Sequence, residues 1–142
     1  MSVQGFQIST DPNDLDFEFI YHFISQSYWA NGIPRETLKK AILNSLCFGV
    51  FETVGKQVGF ARLITDRATF AYLADVFIVE SHRGQGLSKW LLEKIISHPE
   101  LQGLRRMLLA TRDAHELYAQ YGFTAIENPE SLMQIWQPKV YQ

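Results

Sequence analysis

Residues 79–89, Val-Glu-Ser-His-Arg-Gly-Gln-Gly-Leu-Ser-Lys, combine residue types and spacing that suit binding of an anion. They follow an apolar run, Val76-Phe77-Ile78-Val79, that reads as the end of a buried strand. They also open a segment in which Leu87, Leu91 and Ile95 recur every fourth position on one helix face. The first turn of a helix has unpaired N–H groups and the positive end of the macrodipole, so it attracts phosphate wherever backbone can come close. Gly84 and Gly86 permit that approach, because no Cβ blocks it and a positive φ lets successive amides point into one concavity. The competing reading is an ordinary strand-to-helix turn, which two glycines also make.

Immediately upstream, residues 70–79 are apolar except for one carboxylate, Asp75. An unpaired ionised carboxylate in such a run is costly to bury, so Asp75 has a partner, faces a wet cleft, or holds a raised pKa. Each option except a purely structural hydrogen bond makes it a site candidate. Other phosphate motifs fit worse. The Gly-Lys-Ser/Thr end of a Walker A loop is missing, and the third glycine of a dinucleotide fingerprint falls on Lys89. The acid that fingerprint requires further on is replaced by Arg105 and Arg106.

Arg83-Gly84-Gln85-Gly86-Leu87-Ser88 resembles the acyl-CoA signature Arg/Gln-x-x-Gly-x-Gly/Ala of the GNAT superfamily of N-acetyltransferases, departing at Ser88, where the family has a smaller residue. A second stretch, Asp-Ala-His-Glu-Leu-Tyr-Ala-Gln-Tyr-Gly-Phe at residues 113–123, is similar to the family's later Ala-x-x-Leu-Tyr-x-x-x-Gly-Phe element. Two motifs in the right order are more specific than one, and the resemblance extends over residues 46–136.

The resemblance implies an α/β (α+β) fold: a mixed, mostly antiparallel sheet of about six to seven strands with about four helices on both faces, splayed at the acyl-CoA site. It implies transfer of an acetyl group from acetyl-CoA to a primary amine of a small molecule, by direct attack in a ternary complex. On this reading Arg83, Gly84, Gln85, Gly86, Leu87, Ser88 and Lys89 hold the pyrophosphate. Phe77, Ile78 and Val79 pair through backbone with the amide-rich pantetheine arm, and an N–H near Ile78 polarises the thioester carbonyl. Tyr118 falls on the tyrosine that protonates the leaving thiolate, and Asp75, directly or through water, is the best general base. Tyr28, Trp29, Asp66 and Tyr72 are acceptor-side candidates. The aromatics at Tyr28 and Trp29 either plug the core or wall a pocket, and the family's use of this region to cover the acceptor favours the pocket.

Composition narrows the remaining classes. At 142 residues with 46% hydrophobic and 13% aromatic content, the chain suits a single domain, residues 1–142, built on one core. A net charge of -2 argues against a nucleic-acid or anionic membrane surface, which needs clustered Lys and Arg. The pairs Lys39-Lys40 and Arg105-Arg106 are too short to form one. Cys47 is the only cysteine, so no internal disulfide forms, and it reads as a small buried hydrophobe in Leu46-Cys47-Phe48-Gly49-Val50. Neither a signal segment nor an apolar run of membrane-spanning length is visible, and a cytoplasmic location is expected. His22, His82, His98 and His115 pair with no cysteine or glutamate at zinc spacing, so no metal is expected. No Gly-x-Ser-x-Gly elbow is present. The expected partner is the small-molecule amine, and a homodimer is compatible with the sequence. A non-catalytic acyl-CoA sensor would keep the phosphate turn but need neither Tyr118 nor Asp75, and a protein-interaction module is the other open class.

The elements that must position these residues follow in order. Phe6 and Ile8 alternate into a short strand ended by Thr10-Asp11-Pro12. Residues 15–28 carry Leu15, Phe19 and Phe23 on one helical line, and Pro34 with Glu36 starts a second helix through about Ser45. Residues 47–53 and 57–65 read as a hairpin around Val54-Gly55-Lys56. The strand over 70–79 leads into the motif, and its helix stops near Ser97-His98-Pro99. Residues 106–110 form a central strand. Asp113 caps the last helix with Glu116 as its capping-box partner, and Gly122 closes it. Residues 123–126 and 132–136 read as two final strands.

Overall fold

Alternating apolar residues build one sheet whose strands lie side by side in chain order. The computed structural model describes all 142 residues and gives β1 (Phe6–Ser9), β2 (Leu46–Glu52), β3 (Gln57–Thr65), β4 (Phe70–Ile78) and β5 (Arg106–Leu109). The first four are antiparallel neighbours, and β5 runs parallel to β4. The helices are α1 (Phe17–Ile24), α2 (Arg35–Leu43), α3 (Leu87–Ser97) and α4 (His115–Ala119). No helix is long and apolar enough to cross a membrane.

The period of two along each strand sorts side chains into two cores. On one face Phe48, Val50, Ala61 and Leu73 meet Leu91 and Ile95 of α3. On the other, Cys47, Phe60 and Phe77 meet Ile20 and Ile24 of α1 and Leu38 of α2. Helices thus cover both faces, as expected. Burial pushes the Cys47 thiol up to about 12, in keeping with its reading as a small core residue.

β4 changes parity partway along. Ala71 and Leu73 belong to the α3 core, yet so does Ile78, while Phe77 belongs to the other. The cause is a bulge: Phe60 pairs with Phe77 and Arg62 with Ala74, so Asp75 and Val76 together oppose Ala61. Asp75 sits at φ 56°, a left-handed conformation that costs a non-glycine residue about 1–3 kcal/mol and persists only where the surroundings enforce it. β4 and β5 part just before the bulge. They pair from Phe70 with Arg106 to Leu73 with Leu109, and β4 then continues to Ile78 with that edge open.

Three expectations are corrected. The sheet has five strands rather than six or seven, because residues 123–126 and 132–136 form no ladder and Met133, Ile135 and Trp136 are largely exposed. α1 stops at Ile24 rather than reaching Tyr28, because the Ser27 hydroxyl donates to the Ile24 carbonyl (2.7 Å) and accepts from the Ala30 amide (3.1 Å), turning the chain. Asp113 does not cap α4; Ala114 takes the cap position and its amide donates to Thr111 Oγ1 at 3.1 Å. Gly122, at φ 95°, does follow α4 in the left-handed conformation expected of a helix end.

Gly59 fixes how closely β3 approaches β4 beside the open edge. A Cβ there would lie 2.5 Å from Ile78 Cδ1 and 3.0 Å from the Phe77 carbonyl oxygen. Gly59→Ala is therefore expected to destabilise the fold by about 1–3 kcal/mol in denaturant titration, the usual range for overpacking.

Candidate functional site

The opening between β4 and β5 leads into a cleft of about 250 Å³ lined by Val76, Phe77 and Ile78 from β4, Arg83 and Ser88 from the glycine turn and α3, and Leu117 and Tyr118 from α4, with Phe23 and Trp29 closing one side. Two sequence motifs about thirty residues apart in reading order therefore meet across one gap.

Its polar wall is backbone. The amides of Gly84, Gln85, Gly86, Leu87, Ser88 and Lys89 donate to nothing within the chain, and the N-cap of α3, Gly86, provides no side-chain cap. Gly84 and Gly86 sit at φ 83° and 89°, conformations that turn these amides without a steric penalty. A Cβ on Gly84 would touch nothing, so the turn is open to a ligand. Arg83 Nε donates to the Ile78 carbonyl at 2.8 Å and Gln85 Nε2 to the His82 carbonyl at 3.0 Å, tying the turn to the strand that precedes it. Leu87 is a core side chain, and Lys89 is exposed.

The three residues at and just after the end of β4 that are expected to present backbone divide by direction. The Val79 amide donates to the Val58 carbonyl at 2.9 Å, toward β3, and Phe77 faces the same way by alternation. Ile78 faces the open edge. Its carbonyl already accepts from Arg83, which leaves its N–H on the cleft side. The Phe77 ring stacks on Phe23 at a centroid distance of 3.8 Å and belongs to the floor beneath.

Tyr118 presents a hydroxyl with no partner in the chain, and its ring meets Phe123 edge-on at 5.8 Å. Burial, and secondarily Tyr28, raises its pKa above the ordinary phenol value, so it is protonated at neutral pH. Tyr28 and Trp29 meet edge-on at 5.1 Å, and the Arg112 guanidinium lies 3.7 Å over the Tyr28 ring; both aromatics are exposed, so neither plugs the core, and Trp29 lines the cleft with Tyr28 beside it.

Asp75 has a partner for each oxygen. Oδ2 accepts from Arg62 Nε at 2.8 Å, and Oδ1 accepts from the Trp29 indole N–H at 2.7 Å. Arg62 also reaches Ser45 Oγ at 3.2 Å. Of the alternatives open in the sequence, the one observed is a partner. The signal that could have found Arg62 is that it is the one charged residue of its strand, paired with the strand that carries the one carboxylate. Arg112 gave no comparable signal.

Two acceptor-side candidates fall elsewhere. Asp66 lies in the β3–β4 turn, at the opposite end of β4 from the glycine turn. There it accepts from Thr69 Oγ1 (2.6 Å) and from the amides of Thr69, Ala68 and Phe70, which together hold its carboxyl well below the usual range. Tyr72, half-buried opposite Ile64, shares the Arg62 face of the sheet but does not line the cleft. No group of three or more His, Cys, Asp or Glu side chains comes together as a metal site would require.

Comparison with known proteins points the same way. The family model described as "Acetyltransferase (GNAT) family" matches residues 14–123. A protein of Gibberella zeae, named as a candidate acetyltransferase, is 36% identical over 135 residues, covering 80% of this chain and 75% of its own length. A histone acetyltransferase of Glycine max is 30% identical over 75% of this chain, which spans only 52% of that protein. A crystal structure from Xanthomonas campestris, described as a candidate acetyltransferase of the GNAT family, superposes with a TM-score of 0.94 at 50% identity, covering 99% of each chain.

The Arg62–Asp75 pair is mostly withdrawn from water, with side chains 15% and 6% exposed. Removing one partner of such a pair leaves an uncompensated charge. Arg62→Ala is expected to cost about 3–5 kcal/mol in chemical denaturation, and Arg62→Met combined with Asp75→Asn should recover most of it.

Proposed function

Since the chain belongs to the GNAT acetyltransferase family, we propose that it transfers an acetyl group from acetyl-CoA to a primary amine of a small molecule, both held in one ternary complex. The observation that carries this reading is the run of unpaired amides from Gly84 to Lys89, whose Ser88 lines the same cleft as Tyr118. Such a run supplies a fixed anion cradle at a helix start and suits a pyrophosphate. The open β4 edge, with the Ile78 N–H on the cleft side, suits the amide-rich arm that follows it in the same molecule.

Acetyl-CoA, when bound, supplies an activated thioester. The chain's residues do the rest. The Gly84–Lys89 amides hold the diphosphate, and Ile78 N–H donates toward the carbonyl whose oxygen gains charge as the amine attacks. A nitrogen–carbon bond forms, the carbon–sulfur bond breaks, Tyr118 Oη gives its proton to the departing sulfur, and the proton released by the acylated nitrogen passes through solvent to restore the phenol. Direct attack is favoured over an enzyme-bound acyl group because the only thiol, Cys47, is buried in the α1–α2 core with its pKa pushed up to about 12.

Asp75 suits a positioning role better than that of a base. With both oxygens engaged, it can take a proton only after a contact to Arg62 or Trp29 opens. On this reading the amine sheds its proton to solvent, and Asp75 fixes the Trp29 wall that the acceptor packs against. Tyr28 lies beyond Trp29 on the same side.

A CoA-release assay across a panel of amines, with calorimetry for acetyl-CoA, tests the whole reading; binding without turnover on any amine would leave a sensor in its place. Gly84→Asp should remain folded, yet a carboxylate about 5 Å from a phosphate charge costs about 3 kcal/mol at an effective dielectric of about 20, so affinity should fall more than about a hundredfold. Tyr118→Phe should lower kcat by roughly 10²-fold with little change in acetyl-CoA affinity. Asp75→Asn should lower turnover by the same factor at every pH. A loss concentrated at low pH would return Asp75 to the role of base.

A further inference from the structure

No carboxylate lines the cleft, and Asp75, which holds Trp29 at its side, has both oxygens occupied. An acceptor bearing a second ammonium group would find no counter-charge there. The side walled by Tyr28 and Trp29 carries the opposite sign. The Arg112 guanidinium lies 3.7 Å over the Tyr28 ring, and Tyr28 meets Trp29 edge-on at 5.1 Å.

Arg112 has no anionic partner in the chain. It enters none of the six ion pairs, and Asp113 and Glu116, its neighbours in sequence, leave it unpaired. Surface cations often lack a partner, Arg105 and Arg106 included, but those two stand at the start of β5, where Arg106 pairs with Phe70 at the far end of the strand from the cleft. Arg112 is placed differently. It follows β5 just past the point where that strand leaves β4, in a turn fixed by the Ala114 amide donating to Thr111 Oγ1 at 3.1 Å, and Ala114 itself lines the cleft. The ring on which Arg112 stacks is close enough to Tyr118 to add to the upward shift of that phenol's pKa.

A guanidinium held by its face keeps its N–H donors free, because they lie in its plane and point outward from its edge. Such a fork matches a carboxylate, whose two oxygens accept from it in parallel. A single guanidinium balances one negative charge, and Arg62 on the same face is committed to Asp75, so a monoanionic carboxylate fits better than a phosphate. We infer that the acceptor is an amine that also carries a carboxylate, an amino acid by class, whose carboxylate pairs with Arg112 while its nitrogen meets the thioester beside Tyr118. This rests on the acetyl transfer proposed above and narrows its acceptor. Arg112 sets specificity and takes no part in the bond changes.

The test compares kcat/KM, by CoA release, for a set of α- and ω-amino acids and for the carboxamide of each. Removing the nearby negative charge lowers the amine pKa, so the carboxamide is the more readily neutral nucleophile and a preference for the carboxylate cannot come from basicity. The wild-type chain should nonetheless favour the carboxylate member of at least one pair by roughly 10- to 100-fold, the range for a hydrogen-bonded charge. Arg112 is exposed, so its variants should stay folded. Arg112→Gln should bring that ratio close to one with acetyl-CoA affinity unchanged in calorimetry, and Arg112→Lys, which keeps the charge and loses the fork, should retain part of it. Equal rates on both members of every pair in the wild type would overturn the inference and leave acetyl transfer standing. So would an Arg112→Gln variant that slows both members alike, which would make Arg112 a brace for Tyr28, or one that loses acetyl-CoA affinity by the same factor, which would assign it to the donor. CoA release from no amine of either set would remove the activity and the inference together.

Discussion

The bulge at Asp75 is the constraint on which the site depends. A regular β4 would keep Ala71, Leu73, Asp75 and Phe77 on one face, driving a carboxylate and a phenylalanine into the α3 core. One extra residue reverses the parity, so Phe77 joins Phe23 and Phe60 beneath α1, and Asp75 meets Arg62 and Trp29. The bulged strand also bends, and it leaves β5 directly after Leu73. The left-handed backbone at Asp75 is strained for a non-glycine residue, and the two hydrogen bonds to its carboxylate are what hold it there. Opening the sheet and anchoring the loop that walls the opening are therefore one structural event.

Charge plays a smaller part than backbone. A net charge of -2 gives no long-range attraction for an anionic ligand, so any binding must come from short-range groups aimed at one place. Six unpaired amides at the start of α3 are such groups, and the two positive-φ glycines orient them before a ligand arrives. Arg83, which a simple reading would aim at phosphate, instead spends its Nε on the Ile78 carbonyl. It braces the turn against the strand and thereby sets the distance between the amide cradle and the free Ile78 N–H.

The parts legible in the sequence were those set by local pattern. Glycine spacing, the apolar strand before it and the fourfold repeat of Leu87, Leu91 and Ile95 located the turn and α3 without any tertiary information. Asp75 stood out because a lone carboxylate in an apolar run needs an explanation, but its partner lay in another strand, and only the β3–β4 register brings Arg62 to it. Asp66 was misjudged for the opposite reason: its carboxylate is consumed by its own turn, a local use that Asp66-Arg67-Ala68-Thr69 could have suggested. The final strands failed because residues 123–126 and 132–136 have strand-like composition but form no ladder, even though the outer edge of β5 is unpaired. Propensity records what a segment can do, and pairing requires a neighbour.

In the role proposed for it, Tyr118 faces a conflict that its surroundings ease. An attacking amine must be neutral, and a Lys-like amine ionises at about 10.4, while a free tyrosine loses its proton at about 10. In water the conditions that free the amine would also strip the acid. Here the phenol sits against Phe123 and Leu117 with no donor to stabilise its anion, and burial raises its pKa while Tyr28 adds to the shift. The shift runs in the direction that keeps the acid protonated while free amine accumulates. The apolar wall that an alternative reading would assign to packing thus supports the catalytic one: the same burial that makes Tyr118 resemble a core residue fits it to donate a proton.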